Sequence, residues 1–215
     1  MYYPHPNTEL NSAFRNKPYQ GAVPEEARFL FVSLDANYDK DIEHNQAFPQ
    51  VIEYLQDGVA FWERYGVHHP FLLPAYRGDG KFFHQSFARI GLTGKHAKDV
   101  CFFELLNVPT YGQSKLEPAD LESMTGHLHR LKSAIEGSNV RHVFIPTSVG
   151  TLMKKSGIFP WLPSRPKTID SPLKLWSTVG STKIHWHYHF SVYGRFEALK
   201  TKQLEAIGKL LAAGV

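Results

Sequence analysis

Side chains suited to acid–base and hydrogen-bonding chemistry follow two widely separated β-rich runs of this sequence. The run Lys183–Tyr188 leads directly into His189 and, two residues later, Ser191. The apolar run Phe29–Leu34 ends at the carboxylate of Asp35. Open α/β sheets bind their ligands just beyond the carboxyl ends of their strands. An imidazole, a hydroxyl and a carboxylate at two such ends therefore indicate a catalytic pocket.

The elements that must position these groups alternate along the chain. Short apolar runs bounded by turn residues predict four strands: Ala27–Leu34, Val100–Leu106, Val140–Ile145 and Lys183–His189. Apolar residues at helical spacing predict five helices: Pro49–Tyr65, Lys81–Ile90, Pro118–Ile135, Val149–Lys155 and Arg195–Ala213. This order predicts an α/β fold, a three-layer sandwich around a central, mainly parallel, four-stranded sheet.

Two segments outside these elements are rich in proline. Residues 1–24 are polar and are predicted to form an N-terminal arm. Residues 157–180 contain four prolines and are predicted to form an irregular surface loop. The chain of 215 residues is long enough for one sizeable core, so we expect a single domain over residues 1–215.

Composition and charge set broad limits on function and location. The net charge of +4 is compatible with a nucleic-acid partner without establishing one. The apolar runs are too short to span a bilayer, and the first residues lack the pattern of a secretory signal. The single cysteine, Cys101, excludes internal disulfides and a four-cysteine metal cluster. These features predict a cytoplasmic protein that does not interact with membranes.

Polar residues follow all four predicted strands. They are Asp35 and Asn37 after the first strand, Asn107 after the second, Thr147 and Ser148 after the third, and His189 and Ser191 after the fourth. Because the carboxyl ends of parallel strands lie at one edge of a sheet, we expect these groups to converge.

Taken in order, these motifs resemble those of the uracil-DNA glycosylase superfamily. Ser33–Asn37 stands where that family has Gly-Gln-Asp-Pro-Tyr, and His189-Phe190-Ser191 resembles the start of its His-Pro-Ser-Pro motif. Four other segments are similar to motifs of the family. Gly80–His84 resembles the family segment that carries the stacking Phe, and Leu105–Asn107 resembles the strand end that carries the base-binding Asn. Thr147–Gly150 resembles the phosphate-contacting turn, and Tyr193–Phe196 resembles the Tyr-Arg-Gly-Phe loop. The likeness covers residues 27 to 211, roughly the whole predicted sheet and its helices.

Three departures from the family pattern bear on what the resemblance implies. Ala36 and Asn37 replace the Pro and Tyr of the first motif, and that Tyr blocks thymine in some members, so strict selectivity for uracil is not implied. Phe190 replaces a motif Pro, which alters the bend between strand and loop. The iron–sulfur branches of the superfamily do not apply, because Cys101 is the single cysteine.

The resemblance implies a monomeric DNA glycosylase of base-excision repair, a hydrolase that needs no cofactor. Its partner would be DNA containing a deaminated or damaged base, with uracil as the expected base. Asp35 and His189 would be catalytic. The implied contacts to the base are Leu34, Phe83 and Asn107, and the implied contacts to DNA are Ser148, Ser191, Tyr193 and Arg195. No residue is assigned to a metal.

Other interpretations of the same residues remain open. Asp35 and Asn107 could be turn residues, Phe83 a core residue, and Thr147 and Ser148 simple helix caps. His185, His187 and His189 alternate and would share one face of a strand, an arrangement typical of zinc ligands in a metal-dependent hydrolase. A third possibility is a module of the same fold that binds nucleic acid without turnover.

Overall fold

One mixed β-sheet organises the fold. The structure is a computed structural model and describes residues 2–137, 139–164 and 172–213. Within these ranges the strands are β1 (Tyr19–Gly21), β2 (Phe29–Ser33), β3 (Val100–Glu104), β4 (His142–Pro146), β5 (Lys174–Val179) and β6 (Thr182–His187). Their order across the sheet is β1-β3-β2-β4-β6-β5. The inner four strands are parallel, and the edge strands β1 and β5 are antiparallel to their neighbours.

The α/β class is confirmed, but the prediction of a four-stranded sheet is wrong. The four predicted strands form the parallel centre, and two short edge strands enlarge it to six. β1 lies in the segment 1–24 that was expected to be an arm, and β5 lies in the expected loop 157–180. Residues 165–171 of that loop are outside the described residues.

Seven α-helices of the described chain pack around this sheet. They are α1 (Thr8–Asn16), α2 (Phe48–Gln56), α3 (Gly58–Tyr65), α4 (Lys81–Ala88), α5 (Thr125–Glu136), α6 (Thr147–Lys155) and α7 (Glu197–Ala213). The predicted start of the long helix at Pro118 is instead a short 3-10 helix, Pro118–Met124, that precedes α5. None of these helices combines the length and the hydropathy needed to cross a lipid bilayer.

The predicted helix Pro49–Tyr65 is two helices, α2 and α3, because Asp57 leaves the helical conformation. Asp57 has φ −147° and ψ 87°, and its side chain accepts a hydrogen bond from the backbone N–H of Ala60 at 3.0 Å. Gly58 then packs so closely on β1 that a Cβ there would lie 2.8 Å from the backbone nitrogen of Gly21. The break therefore directs α3 against the edge strand.

Apolar side chains cover both faces of the sheet. On β2, Leu30 and Val32 pack into a core cluster shared with α5 and α6, whereas Phe29 and Phe31 pack into a cluster shared with α4 and α7. This alternation explains why β2 is apolar at nearly every position, as expected for a strand buried on both sides. On β2 the polar side chains are thereby restricted to the end of the strand and to the loop that follows it.

Replacing Asp57 with Ala is expected to destabilise the protein by about 1 kcal/mol, because α3 loses the side chain that caps its first turn. Urea denaturation followed by circular dichroism measures this change. The matched control is Asp57→Asn, which retains a capping oxygen and should lose much less. Equal losses in the two variants would contradict the capping role.

Candidate active site

A cavity of about 230 Å³ lies at the carboxyl ends of β2 and β3. Its walls come from the loop after β2, the end of β3, residues of β1, α2 and α4, and the segment after β6. This volume is below the roughly 300–1,000 Å³ typical of pockets for drug-sized ligands, so the cavity suits a small molecule or a single ring.

Six of the residues expected from the sequence line this cavity. They are Leu34, Asp35, Asn37, Phe83, His189 and Ser191. Asp35 follows β2 by two residues, and His189 follows β6 by two residues, so the parallel sheet delivers both to the same edge. The ring centroids of Phe83 and His189 are 5.3 Å apart. The groups after the first and fourth predicted strands thus converge, whereas those after the second and third do not line the cavity.

The other expected site residues lie outside the cavity lining. Asn107 comes three residues after the end of β3 and is half-buried. Ser148 is exposed in the first turn of α6, which begins at Thr147 without a side-chain cap. Tyr193 has 78% of its surface exposed, and Arg195 is exposed with its guanidinium 4.7 Å from the ring centroid of Phe196.

Asp35 is held in place by three hydrogen-bond donors. Its Oδ2 accepts from the hydroxyl of Thr110, from the hydroxyl of Ser114 at 2.5 Å and from the amide of Asn37 at 3.4 Å. The loop after β3 is itself tied to the loop after β2, because the backbone N–H of Thr110 donates to the carbonyl of Ala36 at 2.9 Å. All three side-chain hydrogen bonds end on Oδ2, so a hydrogen-bond network, and not packing alone, fixes the orientation of the Asp35 carboxylate.

The imidazole of His189 has a defined hydrogen-bonding direction. Its Nδ1 accepts a hydrogen bond from the backbone N–H of Ser191 at 3.2 Å. In the neutral ring this arrangement assigns the proton to Nε2, which becomes a donor. Burial lowers the pKa of His189; the charge of Asp35 opposes this change, and the charge of Lys200 adds to it. A neutral donor at this position suits a partner that develops negative charge.

Lys200 of α7 anchors the segment that carries His189 and Ser191. Its side chain is buried, and Nζ donates to the carbonyl of Phe190 at 3.2 Å and to the carbonyl of Val192 at 2.7 Å. A third bond, of 3.2 Å, reaches the hydroxyl of Ser86 on α4. One ammonium group therefore joins two helices to the loop that follows β6.

Three further histidines form one wall of the cavity. His68 and His84 share a 3.2 Å hydrogen bond between Nε2 and Nδ1, and the rings of His69 and His84 stack with centroids 3.6 Å apart. Burial lowers the pKa of all three, that of His84 to about 3, and charge repulsion from His84 lowers the other two further. These rings are therefore neutral near pH 7 and can act as hydrogen-bonding and stacking groups.

The alternating histidines of β6 do not form a common ligand set. His185 hydrogen-bonds His142 at 2.9 Å, His187 donates to the carbonyl of Tyr188 at 2.6 Å, and His189 lies beyond the strand and lines the cavity. In the described ranges, no group of three or more His, Cys, Asp or Glu side chains is arranged to hold a metal ion. The geometry gives no support to a metal-dependent hydrolase built on these residues.

Glu104 and Gln20 are two of the cavity residues that the sequence analysis did not predict. Glu104 is the last residue of β3, and burial, reinforced by the charge of Asp35, raises its pKa to about 8. Gln20 lies on β1, in the segment that was expected to be an arm. The signal for Glu104 was its charge within an otherwise apolar strand, whereas no pattern around Gln20 distinguishes it.

No known protein-family model matches this chain. No significant match is found among curated proteins either. The geometry of the cavity is therefore the basis on which a function is proposed below.

Replacing Lys200 with Met is expected to destabilise the protein by about 1–3 kcal/mol, because the Ser86 hydroxyl and two carbonyls lose their shared donor. Urea denaturation measures the loss. Lys202→Met removes an exposed ammonium of the same helix and should change stability by less than about 0.5 kcal/mol. Indistinguishable variants would show that Lys200 does not anchor the loop.

The buried histidines predict a steep loss of stability in mild acid. Burial lowers the pKa of His142 and His187 to about 4 and that of His185 to about 3, whereas an unfolded chain protonates them near 6.5. At these three histidines the unfolded state therefore binds more protons below pH 6.5, so their contribution to stability is complete above that pH and falls as the pH decreases.

Urea midpoints measured from pH 8 to pH 4.5 test this expectation. A combined His142→Phe and His185→Phe variant should reduce the slope below pH 6.5, since both partners of that pair are removed together. His129→Phe, which alters an exposed ring, should keep the slope of the unmodified protein. A stability profile that is flat from pH 7 to pH 5 would refute the argument.

Proposed function

We propose that this protein is a DNA glycosylase that hydrolyses the N-glycosidic bond of a damaged base flipped out of DNA, with uracil as the base. The observation that carries the proposal is that Asp35, His189 and Phe83 line one cavity at the edge of the sheet. A carboxylate, a neutral imidazole and an aromatic ring together supply the groups that such a reaction needs.

The reaction breaks the bond between C1′ of deoxyribose and the base nitrogen. The electron pair of that bond leaves with the base, and the sugar becomes positively charged. The carboxylate of Asp35 stabilises that positive charge and accepts the proton of the attacking water, whose oxygen bonds to C1′. The Nε2–H of His189 donates to an oxygen of the departing base, where negative charge develops.

The shape of the cavity fits a single ring removed from the base stack. A base within duplex DNA is unreachable unless it is flipped out. Phe83 stands beside His189 and offers a face on which a flat ring can stack. Leu34, adjacent to Asp35, adds apolar contact in the same wall. The cavity is too small for a long substrate, in keeping with one extruded base.

Contacts to the DNA backbone come from the rim in this proposal. Ser191 lines the cavity, and the exposed Tyr193 and Arg195 follow it in a protruding turn. Tyr193 is suited to fill the gap left by the flipped base, and Arg195 is suited to contact a phosphate. Ser148 is exposed at the start of α6, just after β4, so a phosphate contact there is compatible with its position.

The arrangement of the sheet also supports the proposal. The parallel strands follow the order β3-β2-β4-β6, with apolar cores on both faces. We propose that the fold is the three-layer sandwich of the uracil-DNA glycosylase type, enlarged by two edge strands. On this assignment the protein acts on DNA as a monomer.

The test is release of uracil from a synthetic oligonucleotide containing deoxyuridine, under single-turnover conditions and with a chelator present. Asp35→Asn and His189→Ala are each expected to lower the rate by about 100-fold or more, because each removes a group that stabilises charge in the transition state. Cleavage of the abasic product by alkali reports the rate.

Asp41→Asn and His44→Ala make the same chemical changes at exposed positions and should leave the rate unchanged. The proposal fails if the unmodified protein releases no base from oligonucleotides containing uracil, hypoxanthine or xanthine. Tight, salt-sensitive binding without release would instead favour a nucleic-acid-binding module.

A further inference from the structure

Three buried polar atoms at the cavity have no hydrogen-bond partner. They are Oε1 and Nε2 of Gln20 and Oε2 of Glu104. Both side chains line the cavity, and Gln20 has only 4% of its surface exposed. Buried polar groups are almost always hydrogen-bonded in native proteins, because an unpaired group there costs about 1–3 kcal/mol. Their concentration at one cavity indicates that a ligand provides the missing partners.

The sheet places these two side chains side by side. Gln20 of β1 is paired with Phe102 of β3, and Glu104 lies two residues further along β3. Since alternate residues of a strand share a face, Gln20, Phe102 and Glu104 project from the same side of the sheet. All three line the cavity.

Among the described residues, the charge that acts on the carboxyl of Glu104 is that of Asp35, and together with burial it favours the neutral form. Its electrostatic neighbours are Asp35 from the loop after β2, Tyr38, Tyr54 of α2 and Cys101 of β3 itself, and His127 of α5 contacts its carbonyl. The histidines facing it across the cavity are His68, His69, His84 and His189. Burial lowers the pKa of these four rings, so they are neutral near pH 7.

We propose that Gln20 and Glu104 form the hydrogen-bonding subsite that selects the base, and that this subsite takes an imide edge. An imide edge carries two carbonyl oxygens on either side of one N–H, as in uracil. The identification of the ligand as a base rests on the proposed function. In this assignment Glu104 takes the role that the resemblance implied for Asn107.

The donors and acceptors match in number and kind. The Gln20 amide offers one N–H donor and one C=O acceptor, and the neutral carboxyl of Glu104 adds an O–H donor. The two side chains thus carry two donors and one acceptor, the complement of an edge with two acceptors and one donor. The pKa of Glu104, raised to about 8, keeps this donor at neutral pH. At higher pH the ionised carboxylate only accepts, which suits an amino-bearing edge such as that of cytosine.

The test measures binding without turnover. DNA oligonucleotides carrying 2′-fluoro-deoxyuridine or 2′-fluoro-deoxycytidine resist hydrolysis, because the fluorine disfavours positive charge on the sugar. Titration calorimetry gives the ratio of the two dissociation constants at pH 6.5 and pH 9. We expect the unmodified protein to prefer the uracil analogue roughly tenfold or more at pH 6.5, and this preference to collapse at pH 9.

Two variants separate the roles. Glu104→Gln keeps a hydrogen-bond donor at every pH, so its preference for the uracil analogue should persist at pH 9. Because the glutamine does not titrate, any change with pH that remains in this variant reports titration of the base itself. In Gln20→Leu the preference for the uracil analogue should fall roughly tenfold at pH 6.5 and should be absent at pH 9. Gln56→Leu makes the same change at an exposed position of α2 and should match the unmodified protein.

The proposal is overturned if the unmodified protein binds neither analogue, or if its preference for the uracil analogue does not change with pH. It is also overturned if the preference of Glu104→Gln declines with pH as much as that of the unmodified protein, or if Gln20→Leu retains the full preference. Failure of the proposed function has a different signature. In that case the analogues bind with the expected preference, but ordinary deoxyuridine oligonucleotides yield no abasic product.

Discussion

The parallel pairing of β2 with β3 determines the position of most groups in the cavity. Ser33 is in register with Glu104, so the loop that carries Asp35 begins beside the carboxyl that ends β3. The two loops that follow are then joined by backbone bonds between Thr110 and residues 36–38. A shift of one residue would turn Glu104 to the opposite face of the sheet and remove it from the cavity. The raised pKa of Glu104, which burial and the nearby charge of Asp35 cause, thus originates in strand register.

Much of the fold could be predicted because burial on both faces leaves a clear pattern in the sequence. The run Phe29–Leu34 is apolar at almost every position, and such runs located the four inner strands. The edge strands were missed for physical reasons. β1 has three residues, too few for any periodicity, and β5 lies in a Pro-rich segment whose composition favours a loop. The sequence signal available for the β5–β6 hairpin was the glycine at position 180, which adopts φ 55° in the turn.

The active-site residues were predictable where they follow a strand directly, as Asp35 and His189 do. Asn107 was expected in the cavity because the apolar run continues through Leu106, but strand pairing stops at Glu104 and the next two residues enter the core. Gln20 could not be found in this way. Its position depends on pairing with a strand about 80 residues later in the chain, and local sequence carries no record of that contact.

The place of Gln20 on β1 has a consequence for how the cavity is kept intact. β1 is an edge strand bonded to a single neighbour through three residues. Short edge elements open by local unfolding far more readily than a central parallel ladder. Fraying of residues 19–21 would remove one wall of the cavity while the rest of the sheet persists. Ligand affinity would then include the free energy of closing that strand, and amide hydrogen exchange at Tyr19–Gly21 would slow when the cavity is occupied.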